Sequence, residues 1–230
     1  MSKRLLIFNF YLPSFVVLVL CGCTKLETTT SSNSTSSKPI SGKHHFVDGY
    51  APLSGTDNVQ VVVEIPTGTA QKWEVNKSDG KLHWQIKDGQ LRVVNYIGYP
   101  GNYGMVPRTL LSYKNGGDGD PLDVLVLGPP VERGRVISSK LIGVLNLLDG
   151  GEQDDKLIAV MDNTAFSHLN SIEELRQEFP GVLSIIETWF VNYKGPGKLE
   201  ASGFSDAKKA KSILQEAIKT YQQDTATRSN

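Results

Sequence analysis

Residues 118–127 read Asp118-Gly119-Asp120-Pro121-Leu122-Asp123-Val124-Leu125-Val126-Leu127. The first half is a loop, because Gly119 admits tight backbone geometry and Pro121 stiffens the segment. The second half is a strand of the buried type, an unbroken apolar run stopped by Gly128-Pro129-Pro130. Three carboxylates therefore meet at a loop-to-strand junction. In extended chain, residues two apart face the same way, so Asp118 and Asp120 can aim at one point. Like charges this close repel, and only cations or protonation relieve them. Hard divalent cations such as Mg²⁺ take oxygen ligands of this kind. The spacing does not fit an EF-hand loop, which needs Asp or Asn where Leu122 stands and Gly where Asp123 stands. A plain Asp/Gly surface turn is the competing reading of these residues alone.

Strand signals surround this segment. Val59–Ile65 is a β-branched run ended by Pro66, and Lys72–Val75 and Leu82–Ile86 alternate. Asp88-Gly89 marks a hairpin turn before Leu91–Val94. Lys140–Leu148 and Lys156–Met161 are two further strands. After residue 170 the period changes to that of helices. Ser171–Phe179 is a short helix with Asn170 or Ser171 as cap and Glu173 and Glu174 in its first turn. Val182, Ile185, Ile186, Trp189, Phe190 and Tyr193 recur at helical spacing, and a last helix from near Ser205 carries Ala207, Ala210, Leu214, Ala217 and Tyr221. Many short strands followed by helices predict an α+β domain with a closed or partly closed sheet as its core.

The loop between the last two strands is also acidic: Asp149, Glu152, Asp154 and Asp155 fall within seven residues, and Lys156 stands at its exit. On other strands lie Glu64, the same-face pair Lys72 and Glu74, and Arg92, while Tyr193-Lys194 ends a helix. Each of these alone is unremarkable.

The chain has 230 residues, 24 basic and 24 acidic, so bulk nucleic-acid binding, which needs a basic surface, is not expected. Its two cysteines, Cys21 and Cys23, exclude a disulfide scaffold and a cysteine-built zinc site in the body. Residues 1–23 form a leader: Lys3 and Arg4, an apolar run from Leu5 to Leu20, then Leu20-Cys21-Gly22-Cys23. This resembles the lipobox of bacterial lipoproteins, which makes Cys23 the lipidated residue. Ten of the fourteen residues 24–37 are Ser or Thr, a composition that buries nothing and suits a tether. The expected plan is a signal peptide over 1–22, a tether over 23–47, a globular domain over 48–222 and a disordered tail over 223–230. The protein is expected to be exported and lipid-anchored to a bacterial cell membrane, with a cytoplasmic protein as the alternative if the leader is no signal. Cleavage before Cys23 removes two basic residues and no acid, so the mature balance is 22 basic against 24 acidic.

Taken together, Asp118–Asp123, Tyr99-Pro100-Gly101-Asn102-Tyr103-Gly104 upstream, and Gly143-Val144-Leu145 leading to Asp149, Asp154 and Lys156 downstream resemble the soluble, family I inorganic pyrophosphatases. The resemblance spans about Val59 to Lys211. It implies a small, closed, OB-like antiparallel β-barrel with two or three helices packed against it. It implies that Asp118, Asp120, Asp123, Asp149 and Asp154 ligate Mg²⁺, with Asp120 as general base, and that Glu64 serves a metal arriving with substrate. Glu74 would support the site, and Tyr103 would line the pocket beside the nucleophile. Lys72, Arg92, Lys156, Tyr193 and Lys194 would hold phosphate oxygens. It further implies pyrophosphate as substrate and a homo-oligomer, with the bacterial look of the leader favouring a hexamer over a dimer. A phosphohydrolase of nucleotides or short polyphosphates, and a non-enzymatic surface protein on the same fold, are the alternatives.

Charge supports a metal requirement. Seven acids in this set face four fixed cations, an excess of three negative charges that repels a polyanion. A fully ionised pyrophosphate adds roughly four more, and three or four Mg²⁺ bring the sum near zero.

Overall fold

A computed structural model describes residues 37–113 and 117–228. The leader, Cys23 and all of the Ser/Thr-rich tract except Ser37 lie outside the described residues. In chain order the elements are β1 (Leu53–Ser54), β2 (Asn58–Ile65), β3 (Trp73–Val75), β4 (Leu82–Trp84), β5 (Ile86–Lys87) and β6 (Gln90–Leu91). There follow β7 (Asn102–Met105), β8 (Asp123–Leu127), β9 (Val136–Asp149), β10 (Glu152–Gln153) and β11 (Lys156–Met161). The last are α1 (Ile172–Glu178), α2 (Val182–Asn192), β12 (Leu199–Asp206) and α3 (Ala207–Arg228).

Five strands close on themselves. β2 pairs with β7, β7 with β8, β8 with β11, β11 with β9, and β9 returns to β2. The ring accords with the expected OB-like core in an α+β fold, with one correction. Four of these pairings are antiparallel, but β8 and β11 run parallel. The helix-free link between them, through the long β9, permits that arrangement. Two glycines let the walls approach. A Cβ at Gly104 would lie 1.9 Å from the Val62 carbonyl oxygen, and one at Gly143 would lie 2.2 Å from Ile172.

Successive residues of the ring strands pack in opposite directions, as the two-residue period requires. Val124 and Val126 of β8, Leu157 and Ala159 of β11 and Val59 and Val61 of β2 pack with Ala210, Leu214 and Ala217 of α3. Leu125 and Leu127, Ile158 and Val160 pack with Ile172 and Leu175 of α1 and with Leu183, Ile186, Trp189 and Phe190 of α2. Each of these larger side chains contributes about 2 kcal/mol on burial. The ring therefore stands on apolar burial, not on the charges at its end.

Several boundaries differ from the sequence expectation. Ile40 pairs with Leu82, and Phe46 is fully buried, so the folded body begins before residue 48. The start of the last helix falls at Ala207 because β12, unread in the sequence, occupies Leu199–Asp206; its Gly203 and largely exposed face give no strong strand pattern. The Asp206 carboxylate accepts the Lys209 N–H at 2.8 Å and opens the helix. At the other end α3 runs to Arg228, through most of the segment expected as a tail. On α2, Ile185 is exposed and Leu183 takes its place in the core. The Ser171 cap is as expected, its hydroxyl accepting the Glu174 N–H, and the Asp88-Gly89 turn has positive φ at both residues, as a tight hairpin demands.

Candidate active site

The parallel pair β8–β11 builds the floor of the site. Asp123 opens β8 and Lys156 opens β11, and parallel register places both at the same end. Lys156 Nζ donates to Asp123 Oδ2 at 2.6 Å and also to Asp154. Asp154 and Lys156 are two apart and share a face. Asp155 between them turns away, where its Oδ1 accepts the Leu147 N–H at 3.0 Å. Glu64, near the end of β2, is 4% exposed, and its Oε1 accepts the Val75 N–H at 2.8 Å. Lys72 and Glu74 flank buried Trp73 and pair with each other at 2.9 Å. Backbone bonds from Lys72 N–H to the Arg92 carbonyl and from Gln85 N–H to the Lys72 carbonyl hold these segments side by side. Arg92 Nη1 donates to Gln85 Oε1 at 2.6 Å, and Gln85 donates onward to Glu74. Tyr103 of β7 lies under Lys72, whose Nζ is 5.2 Å from the ring centroid.

Loops and element ends build the rim. The loop bearing Asp118 and Asp120 is closed by Leu111, whose N–H donates to the Asp120 carbonyl and whose carbonyl accepts the Gly119 N–H, both at 2.8 Å. Gly119 has φ +79°, and a Cβ there would strike the Tyr113 ring. Asp118 Oδ1 accepts the Asp120 N–H at 2.9 Å, so one of its oxygens shapes the loop. Leu122 is buried and its N–H donates to Thr109 Oγ1, which anchors the junction. Asp149 ends β9 before the Gly150-Gly151 turn and accepts from Lys194. Tyr193 caps α2, stacked on Trp189 at 4.6 Å between centroids.

Burial and charge separate these groups electrostatically. Burial pushes the Glu64 carboxyl up to about 8, against the pull of Lys72. Burial alone would raise Asp123, but Lys156 and Lys72 together hold it below the usual carboxylate range. Burial raises Asp154, because Lys156 is opposed there by the neighbouring Asp123 charge. Burial works against the charged forms of Lys72 and Lys156, yet the surrounding carboxylates and, for Lys72, Tyr99 hold both above the ordinary lysine value. Burial keeps Tyr103 and Tyr193 well above the usual phenol value, so both remain proton donors. At neutral pH the floor thus holds fixed ammonium groups and phenol O–H donors facing carboxylates of unequal basicity.

One cavity of about 450 Å³ is lined by Glu64, Lys72, Glu74, Arg92, Tyr103, Asp118, Asp120, Asp123, Asp149, Asp154, Lys156, Tyr193 and Lys194. All thirteen body residues to which the family resemblance gives a site role are among its walls, whereas Glu152 and Asp155 of the acidic loop are not. Lys77, Asn76, His83, Gln85 and Met105 also line it and were not read from the sequence. The alternation of Leu82–Ile86 leaves His83 and Gln85 together on its polar face, but nothing in the local pattern marks Lys77. Among the described residues no three His, Cys, Asp or Glu side chains converge on one point. Each carboxylate of the set except Asp118 and Glu64 instead faces a nearby lysine: Lys77 at Asp120, Lys156 at Asp123 and Asp154, Lys194 at Asp149, Lys72 at Glu74. The donors are carboxylate oxygens that already attract cations, a set that fits Mg²⁺ rather than zinc.

The profile of the inorganic pyrophosphatase family matches residues 61–222. The chain is 34% identical over 168 residues to an inorganic pyrophosphatase of Corynebacterium efficiens, covering 71% of this chain and 98% of that protein. It is 37% identical over 185 residues to soluble inorganic pyrophosphatase 2 of Chlamydomonas reinhardtii, covering 78% and 89%. Among solved structures it resembles the inorganic pyrophosphatase of Helicobacter pylori, with TM-score 0.63, 35% identity and coverage of 75% of this chain and 98% of that one. It also resembles that of Schistosoma japonicum, with TM-score 0.72, 27% identity and coverage of 78% and 71%. A family profile over this span, relatives matched along nearly their whole length and a single cavity lined by the expected polar set lead to one conclusion: the chain belongs to the family of soluble inorganic pyrophosphatases.

Proposed function

We propose that this protein hydrolyses inorganic pyrophosphate to two phosphates in a Mg²⁺-dependent reaction. The observation that carries the reading is the convergence of thirteen expected polar residues on one cavity. Asp118, Asp120, Asp123, Asp149 and Asp154 would hold Mg²⁺, and Glu64 would join them when substrate brings a further ion. Bound Mg²⁺ supplies charge neutralisation and lowers the pKa of a coordinated water. The chain's residues do the rest. Lys72, Arg92, Lys156 and Lys194 present fixed positive charge to the phosphate oxygens, and Arg92 offers paired N–H donors. Tyr193 and Tyr103 donate O–H bonds without losing their protons, because burial keeps both phenols neutral. Asp120 stands at the water-exposed rim, where it can accept a proton from the attacking water and release it to solvent. Glu74 is tied to Lys72 and Gln85 and fixes the Lys72 head rather than touching substrate.

The test is phosphate release by the chain lacking residues 1–22. Pyrophosphate with Mg²⁺ is expected to be turned over rapidly, while omission of Mg²⁺, or replacement of pyrophosphate by ATP or tripolyphosphate, leaves little activity. Equal rates on all three substrates would favour the broader phosphohydrolase.

The proposed setting is the outer side of a bacterial membrane, through a lipid on Cys23. The support is the leader pattern together with the Ser/Thr tract that follows it. Among the described residues no helix is long and apolar enough to cross a membrane. Cys23→Ala should move the protein from the membrane to the soluble fraction; unchanged fractionation would remove the anchor.

A further inference from the structure

Lys77 projects from the turn between β3 and β4, and its ammonium reaches across the mouth of the cavity to the opposite loop. There Nζ donates to Asp120 and, at 3.0 Å, to the Gly119 carbonyl. Its backbone is held firmly. Asn76 Oδ1 accepts the Ser78 N–H at 2.9 Å, and the Asn76 N–H donates to the Lys81 carbonyl at 2.8 Å. The segment before β1 clamps the same hairpin. Ile40 and Leu82 exchange two backbone bonds at 2.9 Å, and the Phe46 N–H donates to the Gly80 carbonyl at 3.0 Å. The head is free by comparison: the Lys77 and Asp120 side chains are 53% and 57% exposed, so their separation takes little from the fold. An ammonium and a Mg²⁺ at the same Asp120 oxygen repel each other, so each weakens the other's hold there.

We propose that Lys77 is a displaceable latch on Asp120: it holds this carboxylate and its loop in the metal-free protein and is expelled when Mg²⁺ binds there. Lys77 is thus a positioning residue that acts through Asp120. The inference rests on reading Asp120 as a metal ligand. It also revises the charge balance, since a fifth lysine or arginine in the cavity lowers the excess of carboxylates from three to two. The latch makes Mg²⁺ compete for its site, so loading of the rim becomes sensitive to the free Mg²⁺ concentration.

The sign of one binding constant tests this. Calorimetric titration of the substrate-free protein with Mg²⁺ is expected to show binding about twofold to fivefold tighter in K77M than in the parent, the range an exposed ion pair commands. K77Q should behave like K77M, which guards against an effect of the methionine itself. K77R keeps the charge and should stay within about twofold of the parent. K81M, a neutralisation on the same hairpin outside the cavity, should leave Mg²⁺ affinity unchanged. A lysine that merely supports the loop would give equal or weaker Mg²⁺ binding when removed. That result, in a parent that hydrolyses pyrophosphate, overturns the latch alone. A parent that binds no Mg²⁺ overturns the latch together with the reading of the site.

Discussion

The floor and the rim of the cavity use the same pairing of lysine with carboxylate, on different foundations. Lys156 at the floor is 2% exposed, sits on a ring strand and bonds two acids at once. Lys77 and Lys194 at the rim each meet one acid, and those side chains are 30% to 57% exposed. Strand register fixes the floor, since Asp123 and Lys156 must meet once β8 and β11 run parallel. Short loops fix the rim, and their acids can trade a lysine for another cation at little cost. The difference teaches that the buried floor is preformed, while the exposed rim, with Asp120 and Asp149, is adjustable.

The largest effect should come from breaking the floor. Lys156→Met leaves Asp123 and Asp154 close together without their shared ammonium. The metal-free protein should lose about 3 kcal/mol of stability in urea denaturation, as expected when one partner of a buried pair is removed, and activity should fall to near background. If stability is unchanged, the floor is no more preformed than the rim.

A smaller effect should appear on pH. Glu64 has an ordinary value near 4.5 and is raised to about 8 by burial. Between these values the folded protein binds a proton that the unfolded chain does not, so stability falls as pH rises through this window. Melting temperature of the metal-free protein should therefore decline from pH 6 to pH 8 (roughly half of the window), and Glu64→Gln should flatten that decline. An equally steep decline in the variant would assign it elsewhere. The raised lysines titrate above this range and do not contribute to it. The smallest effect is the few-fold shift in Mg²⁺ affinity at Lys77, which tests the rim directly.

Legibility in the sequence followed the same division. The strands of the ring were readable because long β-branched and apolar runs such as Val59–Ile65 and Val124–Leu127 have no other use. The two acidic loops were readable because carboxylates crowd there. Parallel pairing of β8 with β11 was not, since pairing partners are set by contacts far apart in the chain. β12 was hidden by its exposed residues and Gly203, and the segment around Phe46 by its position next to a polar tract. Lys77 was invisible for a related reason: it reaches Asp120 across 43 positions of sequence, and no local spacing records such a contact.

The central claim is that the carboxylates of the cavity serve metal-dependent chemistry, with Asp120 on its adjustable side as the proton acceptor. Phosphate release from pyrophosphate, measured side by side for the parent and Asp120→Asn at saturating Mg²⁺, tests it most directly. The account predicts Mg²⁺-dependent turnover in the parent and a loss of roughly a hundredfold or more in the variant, with its fold intact. Full activity in Asp120→Asn, or turnover in the parent that persists after chelation of divalent metal, would contradict it.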